Sequence, residues 1–576
     1  MKRIYIYNKV KGLAAAMILA PLSSLLFTSC GDFLEIEPQD KIVLEKFWNE
    51  KSDVENVLVG CYSALQSYDA IARMMVWGEF RSDNVEPGLN TQNNASLLRV
   101  LNENIDATNG FTTWNIFYAV INRCNTVMLY APDVAAKDPA YTQSELNATI
   151  AEATALRALC YFYLIRTFRD VPYITEAYTD DSQEMEIAAT PFNRVLNSLI
   201  ADLESVKNDA VRRYPSNKAL YQTGRITQQA IYAMLCEMYL WKQDYDNCIK
   251  YAELIIDAKK EYYKEKYAGR TLDTDGRLNG YPLEIGWRGG NSVVFGLDYG
   301  YIFGQTNSRV DIGDSDEIIF ELVFMSDQNM LKNGPINDFY GNATDLKGMA
   351  APASFLGLDP NVKDQLFNKL DARYYFNISS GGSKNYRINK YVYENVTVEV
   401  SGSDPRITYY NPYNKDYNSS NWIVYRLTDI MLLEAEALVE RGEDESEDFK
   451  KAFELVQTIN NRALCDPKLT NALKESTYIK KKSMMRELVL KERQRELMFE
   501  GKRWYDLVRR SMRDGDTDML TQCVGQKDVE NSALAQNFLK KMDAIFWPYN
   551  QDEVRVNSKL VQNPAFGSGE SNFTNN

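Results

Sequence analysis

Apolar residues recur at helical spacing along most of this chain, and this pattern constrains its fold more than any other feature. Segments with apolar residues three and four positions apart predict amphipathic α-helices. Such segments lie at 47–67, 113–129, 144–168, 192–206, 227–241, 245–256, 423–439, 449–463 and 484–500. A chain of 576 residues that is 45% apolar can bury the inward faces of all these helices. The sequence therefore predicts a mostly α-helical protein.

Two adjacent segments carry the spacing of a tetratricopeptide repeat. The repeat positions are Tyr232, Leu235, Cys236, Tyr239, Tyr245, Cys248, Ala252 and Ile255, with residues 242–244 as the turn. A weaker pair joins residues 432–437 to 452–455 through an acidic loop. A single helix pair of this kind cannot bury its own apolar face, so such pairs are expected to stack into a scaffold.

Between residues 261 and 420 the helical periodicity fails, and glycine and tyrosine become frequent. The runs 318–324 and 391–398 predict short strands, whereas glycine pairs at 289–290 and 381–382 predict loops. We expect an irregular region of loops and short strands mounted on the helices. Loops held by a rigid scaffold commonly carry recognition sites.

The stretch from Leu488 to Arg510 is dense in both signs of charge. Its carboxylates and guanidinium groups lie three and four residues apart on a predicted helix, and Gly501 can end that helix. Arg503 and Asp506 are placed to tie a second short helix back to the first. We interpret the stretch as a salt-bridged packing element rather than a catalytic site.

Composition excludes several kinds of chemistry. Histidine is absent, which removes imidazole-dependent triads and most zinc sites. The eight cysteines form no CxxC pair, so buried thiols are expected. Residues 273–276 lack the spacing of an EF-hand, and no metal site is predicted. The net charge of −14 argues against nucleic acid as a partner and against electrostatic docking on anionic membranes.

The N-terminus predicts export. Residues 1–29 combine a basic start with an apolar segment too short to span a membrane, which is typical of a signal peptide. Small residues precede Cys30, as in the lipobox of bacterial lipoproteins, and Cys30 would then carry the lipid. Phe27 departs from the tightest lipobox pattern, so ordinary secretion with a free Cys30 is the alternative. Residues 30–45 would form the lipidated tether, and residues 46–576 a single domain.

Taken in order, several short motifs resemble the SusD/RagB family of outer-membrane nutrient-binding lipoproteins. In the C-terminal half these are WIVYRLTDIMLLEAEA (422–437), INNRA (459–463), ERQRELMFEGKRWYDLVRR (492–510), WP (547–548) and QNP (562–564). In the N-terminal half they are CGDFLE (30–35), FW (47–48), GCY (60–62), Trp114 with NRCN (122–125), and ATALRALCYFYLIRTFRDVPY (153–173). The resemblance covers nearly all of the chain after residue 29.

This resemblance implies a tetratricopeptide-like scaffold of four helix pairs that carries a ligand surface on its irregular region, 261–420, next to a C-terminal helical region at 421–511. It also implies a lipid-anchored protein on the cell surface, at the outer membrane. The implied function is non-catalytic binding of an oligosaccharide or polysaccharide, which is delivered to a SusC-like TonB-dependent transporter. No cofactor is implied.

Two clusters combine aromatic rings with polar side chains, as sugar binding requires. The first comprises Trp77, Arg81, Asp83 and Asn84, and the second comprises Trp287, Asn291, Tyr299 and Tyr301, with Tyr340 as a weaker addition. Arg81 and Asp83 could instead form a structural pair, and Tyr299 and Tyr301 could be alternate residues of a strand. The alternative functions are peptide import on the same scaffold and a carboxylate-dependent glycoside hydrolase.

Overall fold

The computed structural model describes residues 47–567 with gaps. The gaps within this range are residues 181, 267–277, 284–287, 290–291, 296–301, 304–316, 325–331, 342–347, 360–364, 381–385, 402–403, 413–417, 465–471 and 531. The predicted signal peptide, Cys30 and the whole tether (30–45) also lie outside the described residues. From Glu50 onward the described residues belong to one compact unit.

The N-terminal half is helical, as predicted. Its helices are α1 (Lys51–Leu65), α2 (Tyr68–Met75), α3 (Ala95–Leu101), α4 (Asn115–Lys137), α5 (Gln143–Phe168), α6 (Phe192–Val206), α7 (Tyr221–Gly224), α8 (Gln228–Trp241) and α9 (Tyr245–Lys266). Local sequence sets several starts. At α5, for example, the Thr142 hydroxyl and the Glu145 carboxylate cap each other's backbone amides.

Helix α5 forms the centre of this half and packs against both α4 and α6. It is long and apolar enough to cross a membrane, but 83% of its most apolar window is buried inside the protein. Burial of that kind is typical of the core helix of a folded domain.

The predicted repeat pair is confirmed as α8 and α9. The two helices pack together, and Gln243 turns the chain between them with a φ of 63°. Cys236 and Cys248 face each other with their Sγ atoms 3.7 Å apart, so small side chains let the helices approach closely. Helix α9 then packs against the second predicted pair, which lies in the C-terminal half.

In its described residues the middle region contains short strands and the short helices α10 (Gly334–Phe339) and α11 (Ala372–Asn377). The strands of the chain are β1 (Val85–Pro87), β2 (Val171–Pro172), β3 (Ala189–Thr190), β4 (Arg288–Gly289), β5 (Ser292–Phe295), β6 (Ile318–Leu322), β7 (Ala350–Pro352), β8 (Ile378–Ser380), β9 (Tyr386–Ile388), β10 (Tyr393–Ser401), β11 (Asp404–Pro412) and β12 (Trp422–Arg426). The largest sheet has the order β11-β10-β5-β4. Strands β6 and β10 confirm the two strand predictions.

The C-terminal half returns to helices. They are α12 (Leu427–Arg441), α13 (Glu447–Ala463), α14 (Glu475–Tyr478), α15 (Lys482–Leu497), α16 (Arg503–Asp514), α17 (Asp518–Val524), α18 (Ser532–Leu539) and α19 (Gln551–Val556). Helices α12 and α13 pack together as the second predicted pair, and α15 lies against α12.

One predicted helix begins too early. The prediction places residues 423–439 in a helix, but Ile423 to Arg426 belong to strand β12, which pairs antiparallel with β6. All five residues of β12 are buried, and four of them, from Trp422 to Tyr425, are aromatic or β-branched. Pairing with β6 therefore overrides the apolar periodicity that the segment shares with the helix after it.

The stretch 488–510 is a buried ionic cluster, as interpreted from the sequence. The Glu496 carboxylate on α15 accepts Arg426 Nη1 at 2.7 Å and Arg373 Nη1 at 3.0 Å, and it also contacts Arg462. These guanidinium groups hold the pKa of Glu496 well below its usual value, against the opposing effect of burial. We call this set of contacts the arginine cluster.

The predicted tie between the two helices of this stretch is also present. Asp506 on α16 accepts Arg493 Nε on α15 at 2.9 Å. Arg503 Nη1 donates to the backbone oxygen of Leu490 at 3.2 Å. The C-terminal helices are therefore joined by buried charge pairs in addition to apolar packing.

Candidate functional site

The first predicted ligand cluster is buried, and its assignment to ligand contact is wrong. Trp77 is fully buried, its ring stacks on Phe117 with 5.0 Å between centroids, and its Nε1 donates to the Phe111 backbone oxygen at 2.8 Å. No face of this ring remains for a sugar. Arg81, Asp83 and Asn84 are each at most 1% exposed.

Arg81 and Asp83 have structural roles, but they do not pair with each other. Arg81 Nη2 donates to Glu103 at 2.8 Å, and its guanidinium lies 4.2 Å from the centroid of the Trp504 ring. Asp83 accepts Arg503 Nε at 2.8 Å. Both side chains therefore fasten this loop to the C-terminal helices.

Asn84 and Tyr340 belong to the same internal junction. Asn84 Nδ2 donates to Glu79 at 2.7 Å, and Glu79 also accepts the backbone amide of Phe499 at 2.8 Å. The Tyr340 hydroxyl donates to the Phe499 backbone oxygen at 3.0 Å, and burial raises the pKa of that hydroxyl well above its usual value. Burial raises the pKa of Glu79 to about 7, against the donors that favour its charged form. Tyr340 is therefore no ligand contact either.

Two glycines allow this junction to close. The turn between α15 and α16 contains Gly501 with a φ of +70°, which favours glycine. A Cβ atom on Gly78 would lie 1.9 Å from the Gly501 backbone oxygen. The backbones of two segments more than 400 positions apart are therefore in direct contact, which places the loop at 77–84 in the core.

The second predicted cluster lies outside the described residues. Trp287, Asn291, Tyr299 and Tyr301 therefore remain predictions. The described strands beside them, β4 and β5, pair antiparallel with Gly289 opposite Ser292.

A surface groove elsewhere brings together side chains suited to sugar binding. It has a volume of about 390 Å³ and lies between residues 212–223, helices α8 and α9, and strand β6. Aromatic, amide and charged side chains line it: Tyr232, Tyr262, Arg212, Arg213, Gln222, Gln228, Gln229, Glu261 and Glu265. We call it the tyrosine groove.

The aromatic part of the groove is partly exposed. Tyr232 and Tyr262 are both intermediate in exposure, and neither hydroxyl has a hydrogen bond to the part of the chain that the structure describes. The Arg213 guanidinium lies 4.5 Å from the centroid of the Tyr262 ring. Tyr221, 37% exposed, follows in the adjoining helix α7 and packs edge-on against Tyr214.

The polar part of the groove offers amide groups in fixed positions. The Gln222 oxygen accepts the Tyr214 backbone amide at 3.0 Å, and Gln228 Nε2 donates to the Lys207 backbone oxygen at 3.0 Å. The remaining amide atoms can bind further partners. Gln229 makes no hydrogen bond through its side chain within the described residues.

Buried contacts hold the wall of the groove in place. Arg225, just after α7, pairs with Glu152 on α5 at 2.8 Å and with Glu55 on α1 at 2.8 Å. The Ile226 amide donates to the Tyr62 hydroxyl at 2.9 Å. The loop that carries Arg213 and Gln222 is thus anchored to the helical scaffold, and its groove is largely preformed.

Sequence reasoning missed the tyrosine groove. The sequence pattern places Tyr232 only in the helix repeat, and it predicts no binding role for the loop YPSNKALYQTG (214–224). Its two tyrosines, with glutamine and basic side chains nearby, were the available signal. Among the described residues, no group of three or more cysteine, aspartate or glutamate side chains is arranged to hold a metal ion.

Comparison with known proteins agrees with this fold. Residues 317–566 match the family described as "SusD family", and residues 32–240 match a model described as "Starch-binding associating with outer membrane". The chain is 25% identical to SusD-like protein P38 of Formosa agariphila over 577 aligned positions, which covers 97% of this chain and 100% of that protein.

Solved structures share the same architecture. A putative sugar binding protein from Bacteroides vulgatus aligns with a TM-score of 0.62 at 22% identity, covering 90% of this chain and 99% of that one. Surface glycan-binding protein A from Bacteroides uniformis aligns with a TM-score of 0.57 at 19% identity, covering 90% of this chain and 100% of that one. The helical scaffold, the two matching segments and the full-length relative together show that this chain belongs to the SusD-like family.

Proposed function

We propose that this protein is a cell-surface lipoprotein that binds a glycan and delivers it to a SusC-like TonB-dependent transporter. Family membership supports a role in nutrient binding. The printed names of two structural relatives, a putative sugar binding protein and a surface glycan-binding protein, support carbohydrate as the nutrient. The description of the N-terminal family model supports association with the outer membrane.

The tyrosine groove is the observation that carries this proposal. The apolar face of a pyranose packs against an aromatic ring, and its hydroxyl groups pair with amide, carboxylate and guanidinium side chains. Tyr232 and Tyr262 supply rings, Gln229 and Gln222 supply amides, and Arg213 supplies a guanidinium. With basic and acidic side chains both present, the groove suits an uncharged sugar.

The predicted loop residues supply a second place for ligand. Trp287 would offer a ring, and Asn291 an amide, near the hairpin of β4 and β5. Lipidation of Cys30 would hold the protein at the membrane, where the transporter resides. Each of these assignments remains a prediction.

Isothermal titration against a panel of neutral polysaccharides tests the proposal. Tyr262→Ala should weaken binding of the best ligand by about tenfold, the equivalent of about 1.4 kcal/mol, because the ring stacking is lost. Tyr68→Ala is the matched control, since Tyr68 is 48% exposed and does not line the groove. Trp287→Ala is measured in parallel.

The outcomes separate the possibilities. Loss of binding only in Trp287→Ala would move the site to the predicted loop and refute the tyrosine groove. Binding of peptides but no glycan would favour peptide import. Release of reducing ends from a bound polysaccharide would contradict a purely binding role.

A further inference from the structure

A second groove has the opposite electrostatic character to the protein as a whole. It has a volume of about 830 Å³ and lies where the start of α6, the end of α8 and the outer side of α16 meet. Among the described residues, five basic side chains line it and Asp170 is the one acidic residue that does so. The basic residues are Arg169, Arg194, Lys242, Arg509 and Arg513. In a chain of net charge −14 such a concentration of positive charge is unusual, and we call this site the basic groove.

Two of the five cations have no carboxylate partner within the described residues. Arg194 and Lys242 are exposed and form no ion pair there. The other three are already paired: Arg169 with Asp543 at 3.0 Å, Arg513 with Glu436 at 2.8 Å, and Arg509 with Asp506 at 2.8 Å and with Glu436. Arg194 and Lys242 therefore leave the groove with an excess of positive charge.

Two buried donors in the wall of the groove also lack acceptors. Trp241 is 6% exposed and Arg509 is 3% exposed. Neither Trp241 Nε1 nor Arg509 Nη1 has a hydrogen-bond partner in the described part of the chain. Unpaired donors beside the groove add to its preference for groups that carry acceptor oxygens.

The start of helix α6 adds to the same preference. Its first amide, that of Phe192, donates to Asp170 at 2.9 Å, and Asn193 in the first turn and Asn197 in the second line the groove. The N-terminus of a helix carries a partial positive charge that favours anions. The amide side chains fit the hydroxyl groups of a sugar better than they fit an apolar peptide side chain.

We propose that the basic groove binds an anionic group, a carboxylate or a sulfate ester, on the sugar of a charged glycan. The choice of glycan rests on the proposed function, whereas the preference for an anion rests on the groove itself. The two grooves would then distinguish charged from uncharged sugars on one scaffold. Its volume falls within the range of small-molecule sites and can admit a sugar unit.

Binding of oligogalacturonate and of chondroitin sulfate tests this proposal, with a neutral amylose oligosaccharide as the uncharged comparison. The double variant Arg194→Gln/Lys242→Gln should weaken binding of at least one anionic probe at least tenfold. Binding of the wild-type protein to that probe should weaken as salt rises, because part of the attraction is electrostatic. The variant should keep the wild-type melting temperature, since both side chains are exposed.

Lys540→Gln is the matched control, because Lys540 is an exposed cation that does not line the groove. Equal binding of the anionic probes by the double variant and the wild type would overturn the proposal. Binding of polyglutamate but of neither anionic glycan, with the same dependence on Arg194 and Lys242, would overturn the assignment to a glycan. Failure of the proposed function looks different, since the neutral oligosaccharide would then bind to neither protein.

Discussion

Removing the central charge of the arginine cluster should destabilise the whole C-terminal half. In Glu496→Gln the side chain keeps its shape but loses the charge that three guanidinium groups share. Together with the ion pairs that extend it among the described residues, the arginine cluster forms a network of five cations and five carboxylates. The cations are Arg373, Arg426, Arg462, Arg495 and Lys390, and the carboxylates are Asp371, Glu317, Glu492, Glu496 and Glu500.

The substitution therefore leaves five positive and four negative charges in a region closed to water. Breaking a buried ion pair by removing one partner costs about 3–5 kcal/mol. Unfolding entropy is about 2.1 cal/mol/K per residue, or about 1 kcal/mol/K for roughly 500 folded residues. The expected fall in melting temperature is therefore about 3–5 °C.

Differential scanning calorimetry at pH 7 measures this shift. Glu487→Gln is the control on the same helix, because Glu487 is 58% exposed and, within the described residues, its one ion pair is with Lys491. The control should change the melting temperature by less than about 1 °C, since exposed pairs contribute little. If both variants melt at the wild-type temperature, the arginine cluster does not stabilise the fold as argued.

Three further predictions concern the core. Gly78→Ala should lower the free energy of unfolding by about 3 kcal/mol or more in urea titration. The control is Gly60→Ala in helix α1, which should be neutral or stabilising because the new Cβ atom would have no neighbour within 4 Å. Equal effects of the two substitutions would contradict the close backbone contact at Gly78. Asp429 has two cationic partners, and although burial opposes them its pKa is lowered to about 2. The ionised Asp429 therefore stabilises the folded protein above its usual pKa, and this stabilisation is lost as pH falls through about 2. Asp429→Asn should lower the free energy of unfolding by about 2–3 kcal/mol at pH 7 and by progressively less below pH 4. A loss of stability that does not depend on pH would contradict the pairing. Burial raises the pKa of the Cys124 and Cys236 thiols well above the usual value, so a thiol reagent at pH 8 should label them only after unfolding, and rapid labelling of the native protein would contradict their burial.

Local patterns predicted the helical scaffold well because helix formation depends on neighbours in sequence. Helix α8 ends at Trp241 and α9 begins at Tyr245, on either side of the predicted turn at 242–244, and small residues lie where the two helices cross. The segment from Ile423 failed because its strand partner, β6, lies about 100 positions earlier. Pairing at that distance leaves no trace in the local periodicity.

The same reason explains the error at the first ligand cluster. The polar residues at 81–84 look like a binding loop when only their neighbours are considered. Some of their partners, such as Arg503 for Asp83 and Gln494 for Asn84, lie more than 400 positions away and convert the loop into an internal junction. The tyrosine groove was missed for a related reason, since Tyr232 and Tyr262 are brought together with Arg213 only by the packing of α8, α9 and the preceding loop.

The central claim is that this member of the SusD-like family binds glycan in the tyrosine groove. Isothermal titration of wild type and Tyr262→Ala with the best neutral polysaccharide tests it most directly. We expect measurable binding by the wild type and a loss of about tenfold in the variant, with Tyr68→Ala unchanged. Equal affinity in all three proteins would contradict the claim.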